Sequence, residues 1–237
     1  MESTTYTTLT RQSGLMREMQ IIANNIANTA TTGFRQEGLV FSEFVVPVED
    51  NQSISMASAR LRSTSMQQGT LTQTGGLLDV AIEGDGFFLI QTPEGEKLTR
   101  AGAFSTNAAG DLVTPDGYPV LDLGGAPLFV PPDATDLAIA QDGTLSTQGH
   151  PIGQLGVMMP NDPTDLERQA GVMFRADGGF APVENPRVVQ GFIEGSNVDP
   201  IGQIARMIQV QRAYEMGQSF LDAENERVRS ALKTFVR

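Results

Sequence analysis

The sequence predicts an α+β protein, with N- and C-terminal helices joined in one coiled-coil or helical domain and a central antiparallel β-rich domain, barrel or sandwich, between them. Three observations carry this expectation. The C-terminal stretch spaces Met207, Val210, Tyr214, Gly217, Leu221, Glu224, Val228, Ala231 and Phe235 alternately by 3 and 4 residues, the heptad repeat that keeps one stripe facing a partner helix. Near the N-terminus, Leu15, Met19, Ile22 and Ile26 follow a 4, 3, 4 spacing. From about residue 78 to 196 the texture changes to short apolar runs cut by Gly, Asp and Pro.

The first helix is predicted over 5–29, within an N-terminal helical segment 1–34. It stops at Thr31-Thr32-Gly33-Phe34, where Gly33 can take the left-handed conformation and Phe34 can fold back against the helix. Asn24, Asn25 and Asn28 are mediocre helix formers. They read either as solvent-facing residues near a fraying end or as hydrogen-bond partners for neighbouring subunits. Residues 35–77 contain Pro47 and a Ser-, Gln-, Thr- and Met-rich stretch of poor periodicity, so an extended arm or loop is expected there.

The central domain, 78–196, announces its hairpins. Leu78-Leu-Asp-Val-Ala-Ile82 and Phe87-Phe-Leu-Ile-Gln91 flank Glu83-Gly84-Asp85-Gly86, and further turns fall at Pro93-Glu94-Gly95, Ala109-Gly110-Asp111, Pro115-Asp116-Gly117, Gln141-Asp142-Gly143 and Asp177-Gly178-Gly179. Asp-Gly and Pro-Asp-Gly supply the positive φ and the preset bends of tight turns. A helical turn is expected within 161–169. The segment 197–237 is the second helix of the helical domain. Its stripe exceeds what the shorter N-terminal helix can cover, since each large apolar side chain gains about 1.5–3 kcal/mol from burial. Apolar surface is therefore expected to remain for neighbours.

Charge divides the chain the same way. Residues 78–196 hold 17 acidic and 5 basic side chains and so carry the whole formal charge of −12, while the two ends together are neutral. Neutral ends pack side by side without self-repulsion. A sequence pI near 4.5 opposes binding to a phosphate backbone, so no nucleic acid is expected. There is no cysteine, hence no disulfide framework or thiol nucleophile. The first residues are Thr-rich, without a basic start and apolar block, so no cleavable signal peptide is read, and no apolar run of membrane-spanning length occurs.

Chemistry is scarce. His150, the single histidine, sits in Gly149-His150-Pro151, a turn context. No G-x-S-x-G elbow, phosphate-cradling loop or histidine-based metal cluster is present, and the carboxylates mostly stand beside Gly as turn formers. The expectation is a non-enzyme with no catalytic residue, no metal and no cofactor. Two other classes remain: a secreted oligomeric binding module, disfavoured by the absence of Trp and the presence of only three Tyr, and a hydrolase built on His150.

Several motifs together resemble one family. Asn24-Asn25-Ile26-Ala27-Asn28 followed by Thr32-Gly33-Phe34 is similar to the N-terminal signature of the axial proteins of the bacterial flagellum, the rod and hook family. Gly69-Thr-Leu-Thr-Gln-Thr-Gly75, Leu78-Asp79 through Phe87-Phe88, Leu98-Thr99-Arg100-Ala101-Gly102-Ala103-Phe104 and Gly117-Tyr118-Pro119-Val120-Leu121 continue the likeness in order. Glu194-Gly195-Ser196-Asn197-Val198 and Met207-Ile208-Gln209-Val210-Gln211-Arg212-Ala213-Tyr214-Glu215 complete it. The chain departs locally at Gly202-Gln203-Ile204, where the family often carries an acidic residue and Met. Its length resembles the rod proteins rather than the hook protein, the proximal rod ahead of the distal rod.

The resemblance implies a structural subunit that assembles with itself and with other rod proteins into a helical tube transmitting torque. It implies export by the flagellar type III apparatus and a place in the periplasm. It marks Leu15, Met19, Ile22, Asn24, Asn25, Ile26, Asn28, Gly33, Phe34, Met207, Val210, Gln211, Arg212, Tyr214, Leu221, Val228 and Phe235 as assembly and packing residues.

Overall fold

The structure is a computed structural model. It describes residues 2–48, 52–132, 134 and 136–235, with side chains described for 7–40, 62–132, 134 and 136–233. The chain divides into two compact units, one made of 1–27, 37–63 and 199–237, the other of 28–36 and 64–198.

The first unit is helical with one hairpin. Helix α1 spans Glu2–Ala27, strands β1 and β2 span Glu37–Val48 and Gln52–Thr64 as a two-stranded sheet, and helix α2 spans Pro200–Phe235. The hairpin occupies much of the stretch expected as an arm or loop. Its β1 holds Leu39-Val40-Phe41 and Phe44-Val45-Val46, residues that suit a pleated backbone, and β2 pairs with one of its edges. Strand β2 is rich in Ser and Ala, and its apolar–polar alternation shifts phase between Met56 and Ala57, which hides it from a reading by pattern.

Asp199 starts α2 as a cap. Its carboxylate accepts the backbone N–H of Ile201 and of Gly202, both at 3.1 Å, and Pro200 occupies the first helical position, where its missing N–H is harmless. The two helices run antiparallel, with Asn25 beside Gln203 and Gln12 beside Tyr214 and Gly217. On α1, Ile21 and Ile22 are buried with Gln12, Glu18 and Asn25; on α2, Val210 and Leu221 are buried. At 36 residues against 26, α2 outruns its partner, and the repeat continues past it into solvent.

The second unit is antiparallel β throughout. Its strands are β3 (Leu71–Gln73), β4 (Val80–Ile82), β5 (Phe87–Thr92), β6 (Gly95–Thr99), β7 (Ser105–Thr106) and β8 (Leu112–Val113). Beyond these come β9 (Ala138–Ile139), β10 (Thr144–Thr147), β11 (His150–Gln154) and β12 (Val157–Pro160). The last five are β13 (Leu166–Arg168), β14 (Met173–Ala176), β15 (Phe180–Pro182), β16 (Val188–Gln190) and β17 (Phe192–Glu194). The main sheet has the order β13-β14-β6-β5-β12-β15, a second has β11-β10-β9, and β16-β4, β17-β3 and β7-β8 form pairs. The main sheet is open at β13 and β15.

Strand β5 shows how the sequence builds this unit. Phe87, Phe88, Leu89 and Ile90 are all within 1% of complete burial, because the strand is central and covered on both faces. Side chains alternate across a strand: Phe87 and Leu89 enter one apolar cluster with Leu98 and Phe174, while Phe88 and Ile90 enter the other with Val80, Val120 and Leu145. The helical turn expected within 161–169 is a single 3₁₀ turn, Pro163–Asp165, capped by Asp162.

Candidate functional site

Two places in the chain concentrate unusual chemistry, one in each unit. In the β unit, Glu194 is a buried carboxylate shared by two buried arginines. Its Oε2 accepts from Arg100 Nε at 2.7 Å, and its Oε1 accepts from Arg35 Nη2 at 3.0 Å and from the backbone N–H of Gly69 at 2.9 Å. Arg100 also donates to the carbonyls of Gly86 at 2.6 Å, Gly84 at 2.9 Å and Ile82 at 3.3 Å, which fixes the Glu83–Gly86 turn. Arg35 Nη1 donates to the Met66 carbonyl at 3.1 Å. Burial lowers the pKa of both guanidinium groups, Arg35 to about 10, with the Arg100 charge pushing it the same way and Glu194 opposing. At about 10, Arg35 stays charged at neutral pH; Glu194 is hydrogen-bonded to both guanidinium groups, and the Asp85 charge also favours the cationic form of each.

The turn at 31–35 docks onto this cluster. The Gly33 N–H donates to the Glu194 carbonyl at 2.7 Å, and Gly33 has φ +70°. A Cβ there would lie 2.2 Å from the Ala101 nitrogen, so no other residue fits without backbone movement. Gly69 is required for a related reason, since a Cβ would lie 2.1 Å from the Gly195 carbonyl oxygen. Phe34 is buried, and the Arg168 guanidinium lies 4.2 Å from its ring centroid and 4.6 Å from that of Phe174, a favourable cation–π arrangement. Arg168 also donates to the Arg35 carbonyl. Asn197 closes the site: its Oδ1 accepts from Gln36 N at 2.6 Å, and its Nδ2 donates to Gln67 O at 2.7 Å and Ser65 Oγ at 3.3 Å.

In the helical unit the predicted residues fall as follows. Ile22 is buried, and Leu15, Met19 and Ile26 are half-buried on α1. Val210 and Leu221 are buried and Met207 and Tyr214 half-buried on α2, while Gln211 and Arg212 are exposed. Val228 is 42% exposed beyond the reach of α1, and the Phe235 side chain lies outside the described residues. Asn25 fits neither expected reading: it is 1% exposed and bonds to both backbone groups of Glu37, donating at 2.8 Å and accepting at 3.0 Å. Asn24 is exposed, and Asn28 accepts from Thr31 Oγ1 at 3.1 Å. Gly33 and Phe34, expected to finish the helix, belong to the β unit instead, because Phe34 finds its apolar cover under Arg168.

Sequence reading missed Glu194, Arg100, Arg35, Arg168 and Asn197, having taken the carboxylates for turn formers. A signal was present: Arg100 follows Leu98-Thr99 in a stretch with few cations, and Glu194 follows Phe192-Ile193. His150 is exposed, and no cluster of three or more potential metal-ligating residues occurs among the described residues. Among the described residues, no helix is long and apolar enough to cross a membrane. A groove of about 370 Å3 runs along the helix pair beside Leu15, Gly217, Met216 and Phe220.

Three stretches of the chain, which include Arg35, Arg100 and Glu194, match models of flagellar proteins. Residues 6–35 match the family described as flagella basal body rod protein, 81–147 the flagellar hook protein FlgE/F/G D1 domain, and 189–234 the flagellar basal body rod FlgEFG protein C-terminal region. The chain belongs to the flagellar basal-body rod protein family. Within it, the chain is 37% identical to the flagellar basal-body rod protein FlgF of Caulobacter vibrioides over 98% of both chains. It is 35% identical to FlgF of Mesorhizobium japonicum, over 99% of this chain and 98% of that one. The flagellar basal-body rod protein FlgG of Agrobacterium fabrum is 34% identical over 88% of this chain and 90% of its own length.

Proposed function

We propose that this chain is a structural subunit of the flagellar basal-body rod, of the FlgF kind, placed in the proximal rod and assembling with itself and other rod proteins into a helical tube that carries torque from motor to hook. The observation that carries the reading is near-full-length similarity to FlgF proteins, which exceeds the coverage reached with the FlgG relative. A distal-rod role is the less favoured alternative. Heterologous contacts that do not close into a ring generate such a tube.

Two features of the molecule support the reading. The α2 repeat runs on through Val228, 42% exposed, and beside it Leu232 is 59% exposed; Ile201, Ile204, Ile208, Met216 and Phe220 are also exposed. The seam that Leu15, Met19, Ile22, Ile26, Met207, Val210, Tyr214 and Leu221 make within the chain continues along Val228, and a neighbouring subunit's helix would bury part of the exposed surface, with exposed Asn24, Gln211 and Arg212 flanking it. The second feature lies within the β unit, where Asn197 is hydrogen-bonded to Gln36, Ser65 and Gln67 and so ties three separate segments of that unit together.

Export by the flagellar type III apparatus without a cleaved signal, and a periplasmic position for the acidic β unit, complete the proposal. The test is to delete the gene and image isolated basal bodies by electron microscopy. Basal bodies with a short or absent rod, restored by the intact gene but not by one lacking 201–237, are expected. A complete rod and hook in the deletion strain refutes the reading and favours a secreted binding module.

A further inference from the structure

The apolar stripe of α2 repeats every seven residues, so by itself it accepts a partner helix in registers one heptad apart, about 10 Å of slide at 1.5 Å per residue. Three polar side chains on the buried face of α1 oppose that freedom. Gln12 and Glu18 are each 8% exposed and Asn25 1%. Gln12 Nε2 donates to the Tyr214 carbonyl at 3.3 Å, and it occupies the space above Gly217, where a Cβ would come within 3.0 Å of Nε2. Glu18 Oε1 accepts from Arg206 Nε at 2.7 Å and lies 2.6 Å from Arg206 Nη2. Asn25 Nδ2 donates to Gln203 Oε1 at 3.1 Å.

We propose that Gln12, Glu18 and Asn25 are register keys: they select the observed alignment of α1 on α2 and admit only a partner helix with a small residue opposite Gln12 and a cation opposite Glu18. Sliding α2 by one heptad replaces Gly217 with Val210 or Glu224 opposite Gln12. The same slide replaces Arg206 with Ala213 or Asp199 opposite Glu18, leaving a buried carboxylate without a cation or against another carboxylate. Either outcome is strongly unfavourable. The keys also carry the mark of a specificity device rather than a stabilising one. Glu18 Oε2 is buried with no hydrogen-bond partner among the described residues, and a polar group at a helical seam sets register at some loss of stability. The inference concerns the chain's own helix pair and stands whether or not the chain builds a rod.

The absence of native cysteine permits a direct test on the full chain. Spin labels are attached at Ala23→Cys and Asn225→Cys, both exposed and far apart along the helix axes, and their separation is measured by double electron–electron resonance. The labelled chain is expected to give one narrow distance. Gln12→Leu with Glu18→Leu adds a second population displaced by about 10 Å, with the helical circular dichroism retained. Glu18→Arg alone gives the same splitting, and Glu18→Arg with Arg206→Glu returns a single distance. The inference is overturned if the Gln12/Glu18 variant keeps one unchanged distance, or if the labelled parent already shows several. It is equally overturned if helicity collapses in that variant, since the keys would then make the pairing rather than choose its register, or if the charge-swapped pair fails to restore one distance.

Discussion

Replacing Glu194 by Gln removes the carboxylate hydrogen-bonded to both Arg35 and Arg100, while leaving the size of the side chain unchanged. The carboxylate accepts from Arg100 Nε at 2.7 Å, from Arg35 Nη2 at 3.0 Å and from Gly69 N at 2.9 Å, and its side chain is 1% exposed. Removing one member of a buried ion pair costs about 3–5 kcal/mol, and here two buried cations lose their hydrogen-bonded carboxylate while the Asp85 charge still favours both. Arg35→Met has a smaller effect. It leaves Glu194 and Arg100 as a one-to-one pair and removes the repulsion between two cations, so about 1–2 kcal/mol is expected. The assay is urea unfolding of each full-length variant followed by circular dichroism, with hydrogen exchange at β5 and β6 to assign the loss to the β unit. An E194Q loss below about 1 kcal/mol, or an R35M loss equal to that of E194Q, refutes the reasoning that one carboxylate carries both arginines.

Other substitutions test the remaining arguments. Gly33→Ala, which meets the Ala101 backbone and holds positive φ, is expected to cost on the order of 2–4 kcal/mol by thermal unfolding. Leu221→Ala, at a buried seam position, should cost about 2–3 kcal/mol in helix-pair stability. Val228→Ala with Leu232→Ala, both exposed, should change the stability of the isolated chain by no more than about 0.5 kcal/mol, yet reduce swimming in soft agar. Unimpaired motility there counts against a neighbour covering the end of α2. His150→Ala, at the exposed start of β11, should leave both stability and motility unchanged, and a motility defect without a stability loss would reopen a chemical role for it.

The sequence by itself determined the broad plan. Heptad spacing from Met207 onward, the Asn-rich end of α1, and Asp-Gly turns at intervals were enough to read two helices around an antiparallel β region, because periodicity and turn chemistry are local properties. Positive φ at Gly33 was legible for the same reason. What only the tertiary structure decided was which distant residues meet. Glu194 lies 94 residues from Arg100, and nothing local separates a carboxylate that forms a turn from one that bonds to two buried guanidinium groups. Phe34 left the helix for the β unit because Arg168 offered it a cationic face, a contact 134 residues away in the chain. The hairpin of β1 and β2 was hidden because strand pairing is settled by the partner backbone as much as by composition. Asn25 likewise looked like a helix-end residue until folding brought Glu37 and Gln203 to its amide. Periodicity is written along the chain, whereas charge compensation and register depend on pairs that only folding brings together.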